Sequence, residues 1–279
     1  MKFEKIEFES IYLDVFKLAK GIYAIIFNQE MGSSSNAGFF DLGDKTIIFD
    51  TLMDPFSTED LIQASKSVTN KDPFLLINSH FHLDHVFGNR LFSKSMPIMS
   101  SPGTLNRFNE ELLEQFERFR DRAPTEFKNT EYLLKEEKDL KKILEYKNDL
   151  ITWKKIQNPD FSLRPPDLLL YDKMVINRAE RSVEIINVGN AHSYEDIIAF
   201  FPKEKICFMG DLLFSQLDPE WVTGSTGMNF AVDPSNFQKV MRNYHDKDIE
   251  VYVPGHGTLC SKEEIKATID YLGKYFINK

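Results

Sequence analysis

Cysteine is scarce in this sequence. Among 279 residues only Cys207 and Cys260 carry a thiol, and neither belongs to a C-x-x-C pair. Two such residues build no disulfide framework. Cys207 lies in the apolar run Ile206-Cys207-Phe208-Met209, where a buried free thiol is expected. Long apolar runs are missing as well, and none approaches the roughly 20 residues that cross a bilayer. Residues 1–7 lack the apolar core of a secretory signal. The expectation is therefore a cytoplasmic protein with no membrane as partner. Positive charge is in deficit, with 34 Lys and Arg against 43 Asp and Glu and a formal net charge of -9. A surface of that sign repels phosphate backbones and anionic lipid, so no nucleic-acid partner is expected. No internal repeat or low-complexity linker is evident.

What is present is a chain of ordinary composition that is rich in phenylalanine, with 24 residues, as an aromatic core requires. Residues 23–27, 38–42 and 45–50 read as strands, the last two joined by a Gly43-Asp44 turn that signals a hairpin. Residues 58–68 have helical spacing, with Ser57 as the expected N-cap. A strand over 74–77 runs into a histidine-rich turn and a short helix. Residues 104–156 then change character. Leu112, Phe116, Phe119, Leu133, Leu134, Leu140, Ile143 and Leu144 recur at helical spacing among dense mixed charges. Strands resume over 183–188, 197–201, 206–209 and 251–253, with helices over about 234–244 and 261–276. Strands with interspersed helices indicate a layered α/β domain. The expectation is one domain, 1–279, with a helical insertion at approximately 104–160.

The chain has only six histidines, and three fall in His80-Phe81-His82-Leu83-Asp84-His85. Neutral imidazole and carboxylate are standard ligands for zinc and similar ions. If the preceding strand continues through the first two, His80 and His82 point to the same side. Asp84 and His85 would then face a second ion. Three further apolar strands end in a Gly turn bearing one ligand-type residue: Gly189-Asn190-Ala191-His192, Gly210-Asp211 and Pro254-Gly255-His256-Gly257. Ligands of open α/β sheets gather at the carboxyl ends of strands. Four such ends would bring His80, His82, Asp84, His85, His192, Asp211 and His256 together. Seven ligands exceed one tetrahedral ion and suit two that share a carboxylate and a water. Taken alone, Asp211 reads as a helix N-cap before Leu212-Leu213-Phe214. His245 reads as a surface residue at a helix end.

These motifs, His80-x-His82-x-Asp84-His85, Gly189-Asn190-Ala191-His192-Ser193, Gly210-Asp211 and Pro254-Gly255-His256-Gly257, resemble the metallo-β-lactamase superfamily in order and spacing. Ser35-Asn36-Ala37-Gly38 and Ile48-Phe49-Asp50-Thr51 look like its early strands. The resemblance implies a four-layer αβ/βα sandwich. It implies one ion on His80, His82 and His192, a second on Asp84, His85 and His256, and Asp211 between them. The Asp211 position is usually cysteine in zinc β-lactamases. Aspartate there is as in glyoxalase II-like thioesterases and lactonases. The implied activity is hydrolysis of a small ester, thioester, lactone or amide, with two divalent ions, zinc first and iron or manganese as alternatives, lowering the pKa of a bridging water. Asp84 is the expected catalytic residue, orienting that water or relaying its proton. Asp50 or Ser193 is expected behind the imidazoles. The partner is a small-molecule substrate, walled by residues 32–36, the insertion and residues 214–229 with Trp221. The insertion is also a candidate homodimer surface. Rival readings are a phosphodiesterase or nuclease, an iron-dependent redox enzyme, and a metal-dependent binding protein without turnover.

Overall fold

The computed structural model describes residues 3–28, 35–215 and 231–274. Two sheets form the frame. The first holds eight strands in chain order: β1 (Glu4–Ile6), β2 (Leu13–Ala19), β3 (Ile22–Phe27), β4 (Ala37–Asp41), β5 (Thr46–Phe49), β6 (Pro73–Ile77), β7 (Ile98–Ser100) and β8 (Leu168–Leu169). Pairing is antiparallel from β1 to β5 and parallel from β5 to β8. The second sheet comprises β9 (Lys173–Asn177), β10 (Ser182–Asn187), β11 (Ile197–Phe201), β12 (Ile206–Phe214) and β13 (Val251–His256), side by side from β13 to β9. β12 and β13 run parallel; the other pairs are antiparallel.

Side chains alternate across a strand, so each central strand feeds two cores. Phe40, Phe49 and Ile77 of the first sheet meet Ile185, Phe201, Phe208 and Val253 of the second between the sheets. Phe40 is edge-on to both Phe201 and Phe208 at 4.8 Å, a favoured aromatic geometry. On the far side of the first sheet, Val15, Phe39, Ile48 and Leu76 pack against Leu61 and Ala64 of α1 (Pro55–Thr69). On the far side of the second, Ile198, Cys207, Met209 and Tyr252 pack on Phe237 and Met241 of α6 (Pro234–Asp246). They pack also on Ile265 and Ile269 of α7 (Lys262–Leu272). The result is the expected helix–sheet–sheet–helix sandwich. Both cysteines are buried free thiols. Among the described residues no helix is long and apolar enough to cross a membrane.

Three local expectations are corrected. Helix α1 starts earlier than Thr58: Asp54 accepts from Phe56 N and Ser57 N at 2.9 Å each, and Pro55 fits the first turn, so Ser57 lies inside the helix. The strand over 74–77 stops at Ile77 and does not run through the histidines. Asp211 caps no helix, because β12 continues past it to Phe214. The C-terminal α-helix ends at Leu272 and runs on as a π-helical turn over 273–274, and the expected end at Phe276 lies outside the described residues.

The segment expected as a helical insertion contains α3 (Pro102–Arg107), a π-helical turn (Phe108–Leu112), α4 (Leu113–Glu136) and α5 (Leu140–Gln157). Between α1 and these lies the one-turn α2 (Leu83–Val86). Phe108, Leu112, Phe116 and Ile156 pack on Phe81, Val86 and Phe87. These helices thus seat directly on the chain segment that carries the first four candidate ligands.

Candidate metal centre

All seven candidate ligands converge at one end of the sandwich. His80 and His82 sit in the loop after β6, and Asp84 and His85 occupy α2. His192 follows β10, Asp211 lies within β12, and His256 closes β13. The loop holding the first pair is fixed by its own polar groups. Ser79 N donates to Asp50 Oδ1 at 2.7 Å, and Asn78 Nδ2 donates to the His85 carbonyl at 3.0 Å. Its two imidazoles meet through different atoms, His80 Nε2 lying 2.9 Å from His82 Nδ1. Gly210, with φ +53, lets the strand pass Ser79, whose Cβ would stand 2.8 Å from an added Cβ. Gly255 leaves room for the Asp211 carboxylate: a Cβ there would fall 1.9 Å from Oδ1.

The ligand atoms divide into two groups. His80, His82, His192 and Asp211 offer four atoms within 4.8 Å of one another, and Asp84, His85 and His256 offer three. In the first group His192 Nε2 is 3.3 Å from His82 Nδ1, and Asp211 Oδ2 is 3.5 Å from both His80 Nε2 and His192 Nε2. In the second, Asp84 Oδ2 lies 3.6 Å from His85 Nε2 and 3.3 Å from His256 Nε2. Asp211 Oδ1 lies 3.1 and 3.3 Å from the same two nitrogens. Two ligands of one tetrahedral zinc, each about 2.0–2.1 Å from it, stand roughly 3.4 Å apart. Most of these separations fall near that edge length.

The electrostatics fit a cation in each group. His82 is pushed down to about 3 by burial and by His80, and His192 is lowered by burial, so both are neutral and present lone pairs. Burial opposes charge on His85 and His256, but Asp211 and Asp84 outweigh it, raising His85 and bringing His256 to about 10. Burial would raise Asp84 and Asp211, yet the histidines, His85 foremost, hold both below the usual carboxylate range. A divalent ion bound here would take the place of those protons. His85 Nε2 and Asp211 Oδ1 are buried without a well-directed hydrogen bond among the described residues, although 3.1 Å apart. A cation held between them would satisfy both atoms. Five imidazoles and two carboxylates are a donor set for borderline divalent metals.

Of the two expected supporting residues, the structure places one behind an imidazole. Asp50, buried and at φ +61, sets Oδ2 3.0 Å from His85 Nδ1. Ser193 bonds instead to buried Asp196, donating from N at 2.8 Å and from Oγ at 2.7 Å, and so braces the loop that carries His192. Two contributors escaped the sequence reading. Ser79 Oγ lies 2.9 Å from His80 Nδ1, and its place immediately before His80 was the available signal. Asp196 gave none. His245 stands apart in the last turn of α6, 3.2 Å from Asp246. Of the expected walls, Ser35 Oγ donates to the Asp84 carbonyl at 2.6 Å and Asn36 Nδ2 to the Pro254 carbonyl at 2.9 Å. Residues 32–34 and 216–229, Trp221 included, lie outside the described residues.

Comparison with known proteins agrees with this geometry. A family model described as the metallo-β-lactamase superfamily matches residues 31–256. No curated protein matches the chain. Among solved structures, a metallo-β-lactamase from Erythrobacter litoralis, with β-mercaptoethanol in its active site, aligns at TM-score 0.65 and 17% identity over 97% of this chain and 100% of that one. A metallo-β-lactamase from Pontibacter korlensis aligns at TM-score 0.61 and 14% identity over 98% and 100%. FIM-1 from Pseudomonas aeruginosa, in its mono-zinc form, aligns at 0.61 and 16% over 95% and 96%. Identities this low speak for the fold alone. The family match spans most of the chain and contains every candidate ligand, and on that basis the protein belongs to the metallo-β-lactamase superfamily, as a metal-dependent hydrolase.

Proposed function

We propose that the protein is a dinuclear hydrolase that cleaves a small ester, thioester, lactone or amide. The observation that carries this reading is the division of Asp211, whose Oδ2 faces His80 and His192 while Oδ1 faces His85 and His256. His80, His82, His192 and Oδ2 would hold one ion; Asp84, His85, His256 and Oδ1 would hold the other. When bound, two such ions make a water acidic near neutral pH and polarise a carbonyl. The mixed imidazole and carboxylate set favours zinc.

The remaining work falls to the chain. Asp84 is an anion at neutral pH, and its side chain is partly open to solvent. It accepts the proton that the attacking water releases. The water oxygen bonds to the carbonyl carbon, and the bond from that carbon to the leaving oxygen, sulfur or nitrogen breaks. The leaving group takes the proton from Asp84. Asp50 holds the His85 ring in place throughout, and Ser79 holds that of His80.

The test is elemental analysis of protein purified without added metal, together with a panel of thioesters, lactones and phosphodiesters. Two zinc ions per chain and turnover of a carbonyl substrate are expected, both lost in Asp211→Ala. A single iron per chain, or full turnover in Asp211→Ala, removes the reading.

A further inference from the structure

The segments that build the metal centre carry no positive side chain. No Lys or Arg falls between Lys20 and Lys45, Lys71 and Arg90, Arg181 and Lys203, Lys205 and Lys239, or Lys247 and Lys262. Those intervals contain all seven candidate ligands, and also Phe27, Asn36 and Phe214. Arg107 does come against one of them, its guanidinium 4.2 Å from the centre of the Tyr194 ring. Its nitrogens, however, face Glu110 at 3.5 Å and Glu111 at 3.9 Å.

Aromatic rings stand beside the ligands instead. Phe214 stacks on His256 with ring centres 5.1 Å apart and planes 6° from parallel, and lies 5.9 Å from His192. Phe27 meets His256 nearly edge-on at 6.2 Å. Both phenylalanines are half-buried. An anionic group resting on these rings, away from the ligand atoms, loses its hydration and gains no Lys or Arg partner from these segments, whereas an apolar group gains by leaving water.

The geometry points to a substrate that is uncharged beyond its reacting carbonyl, an acyl compound whose apolar body lies against Phe27 and Phe214. This rests on the hydrolase reading above and narrows it. Ester or thioester substrates bearing a carboxylate or phosphate at that position are disfavoured.

The test pairs two rigid thiols on the zinc-loaded protein, 4-methylbenzenethiol and 4-mercaptobenzoate, at a pH where both are thiolates. The ring of the second holds its carboxylate away from the metals. Binding of the 4-methylbenzenethiolate, which has no charge on its distal end, is expected to be at least tenfold tighter, and Phe27→Lys is expected to narrow that gap. Equal or tighter binding of 4-mercaptobenzoate, or binding of neither, overturns the inference. Hydrolysis is scored separately with neutral and carboxylate-ended aryl esters of matched length. A tenfold thiol preference without turnover of any ester upholds the apolar wall and strikes only the hydrolase reading. Turnover of both esters at equal kcat/KM strikes only the wall.

Discussion

Asp50 and Ser79 stand behind different imidazoles, and this permits a paired experiment. Asp50 Oδ2 is 3.0 Å from His85 Nδ1, and Ser79 Oγ is 2.9 Å from His80 Nδ1. His85 and His80 belong to different ligand groups. Removing the partner behind a ligating imidazole typically weakens metal affinity about 10- to 100-fold, or about 1.4–2.7 kcal/mol. Asp50 is charged and buried, so Asp50→Ala belongs at the upper end of that range. A neutral hydroxyl holds its ring less firmly, and Ser79→Ala belongs near the lower end. Asp50→Ala also strips the acceptor from Ser79 N, which costs about 1–3 kcal/mol of stability. If each ligand group holds an ion, as proposed, competition against a chromophoric chelator resolves the two, and a thermal melt reports the fold separately. Asp50→Ala is expected to loosen one ion and Ser79→Ala the other. If Asp50→Ala leaves both affinities within twofold, or weakens both equally, the assignment of one partner to one group is wrong.

Two further outcomes follow from positions described above. Gly255→Ala places a methyl group 1.9 Å from Asp211 Oδ1 and should displace that carboxylate, so the metal content of the purified variant should fall below that of the wild type while its circular dichroism stays native-like; unchanged stoichiometry would mean the backbone yields instead. Asp149 of α5 is raised from 3.8 to about 6 by burial, then by Glu145 and Asp54. A raised carboxylate contributes stability in full below 3.8 and loses it as pH rises through about 6. The unscreened loss corresponds to about 3 kcal/mol. Asp149 is only half-buried, and solvent screening reduces it to about 1–2 kcal/mol. Asp149→Asn should therefore stabilise the protein in urea titrations at pH 8 and not at pH 3.5, and an equal effect at both would refute the burial argument.

Much of the site was legible because metal ligands obey chemistry that is visible in a string of letters. Three histidines and an aspartate within six residues announce themselves, and three more strand ends with a Gly turn supply the rest. The hairpin at Gly43-Asp44 was equally plain, and Asp41 pairs with Thr46 as the turn requires. Other features depend on what the fold brings together. Asp211 precedes Leu212-Leu213-Phe214, which reads as the opening of a helix, and only pairing of β12 with β13 keeps it extended. β9 is largely exposed and was not anticipated, because an edge strand without a buried face carries no apolar alternation. His80 and His82 meet although the strand stops short of them, because Asp50 and Asn78 shape the loop, and neither residue signals that role locally. Asp196 was invisible for the same reason, its partner Ser193 being the more obvious candidate.

Each ligand group takes members from both sheets. His80, His82, Asp84 and His85 follow β6 of the first, whereas His192 follows β10, Asp211 lies within β12 and His256 closes β13 of the second. An ion in either group is therefore a clasp across the sandwich, closing a loop of chain that runs from one half of the molecule to the other. A ligand that binds the folded chain and not the unfolded one deepens the folded state by mass action. Here that gain would fall on the seam between the halves. Removing a bound metal would then loosen a brace between the sheets, and the scarcity of cysteine takes on a different light: a crosslink at this seam would be coordinate rather than covalent.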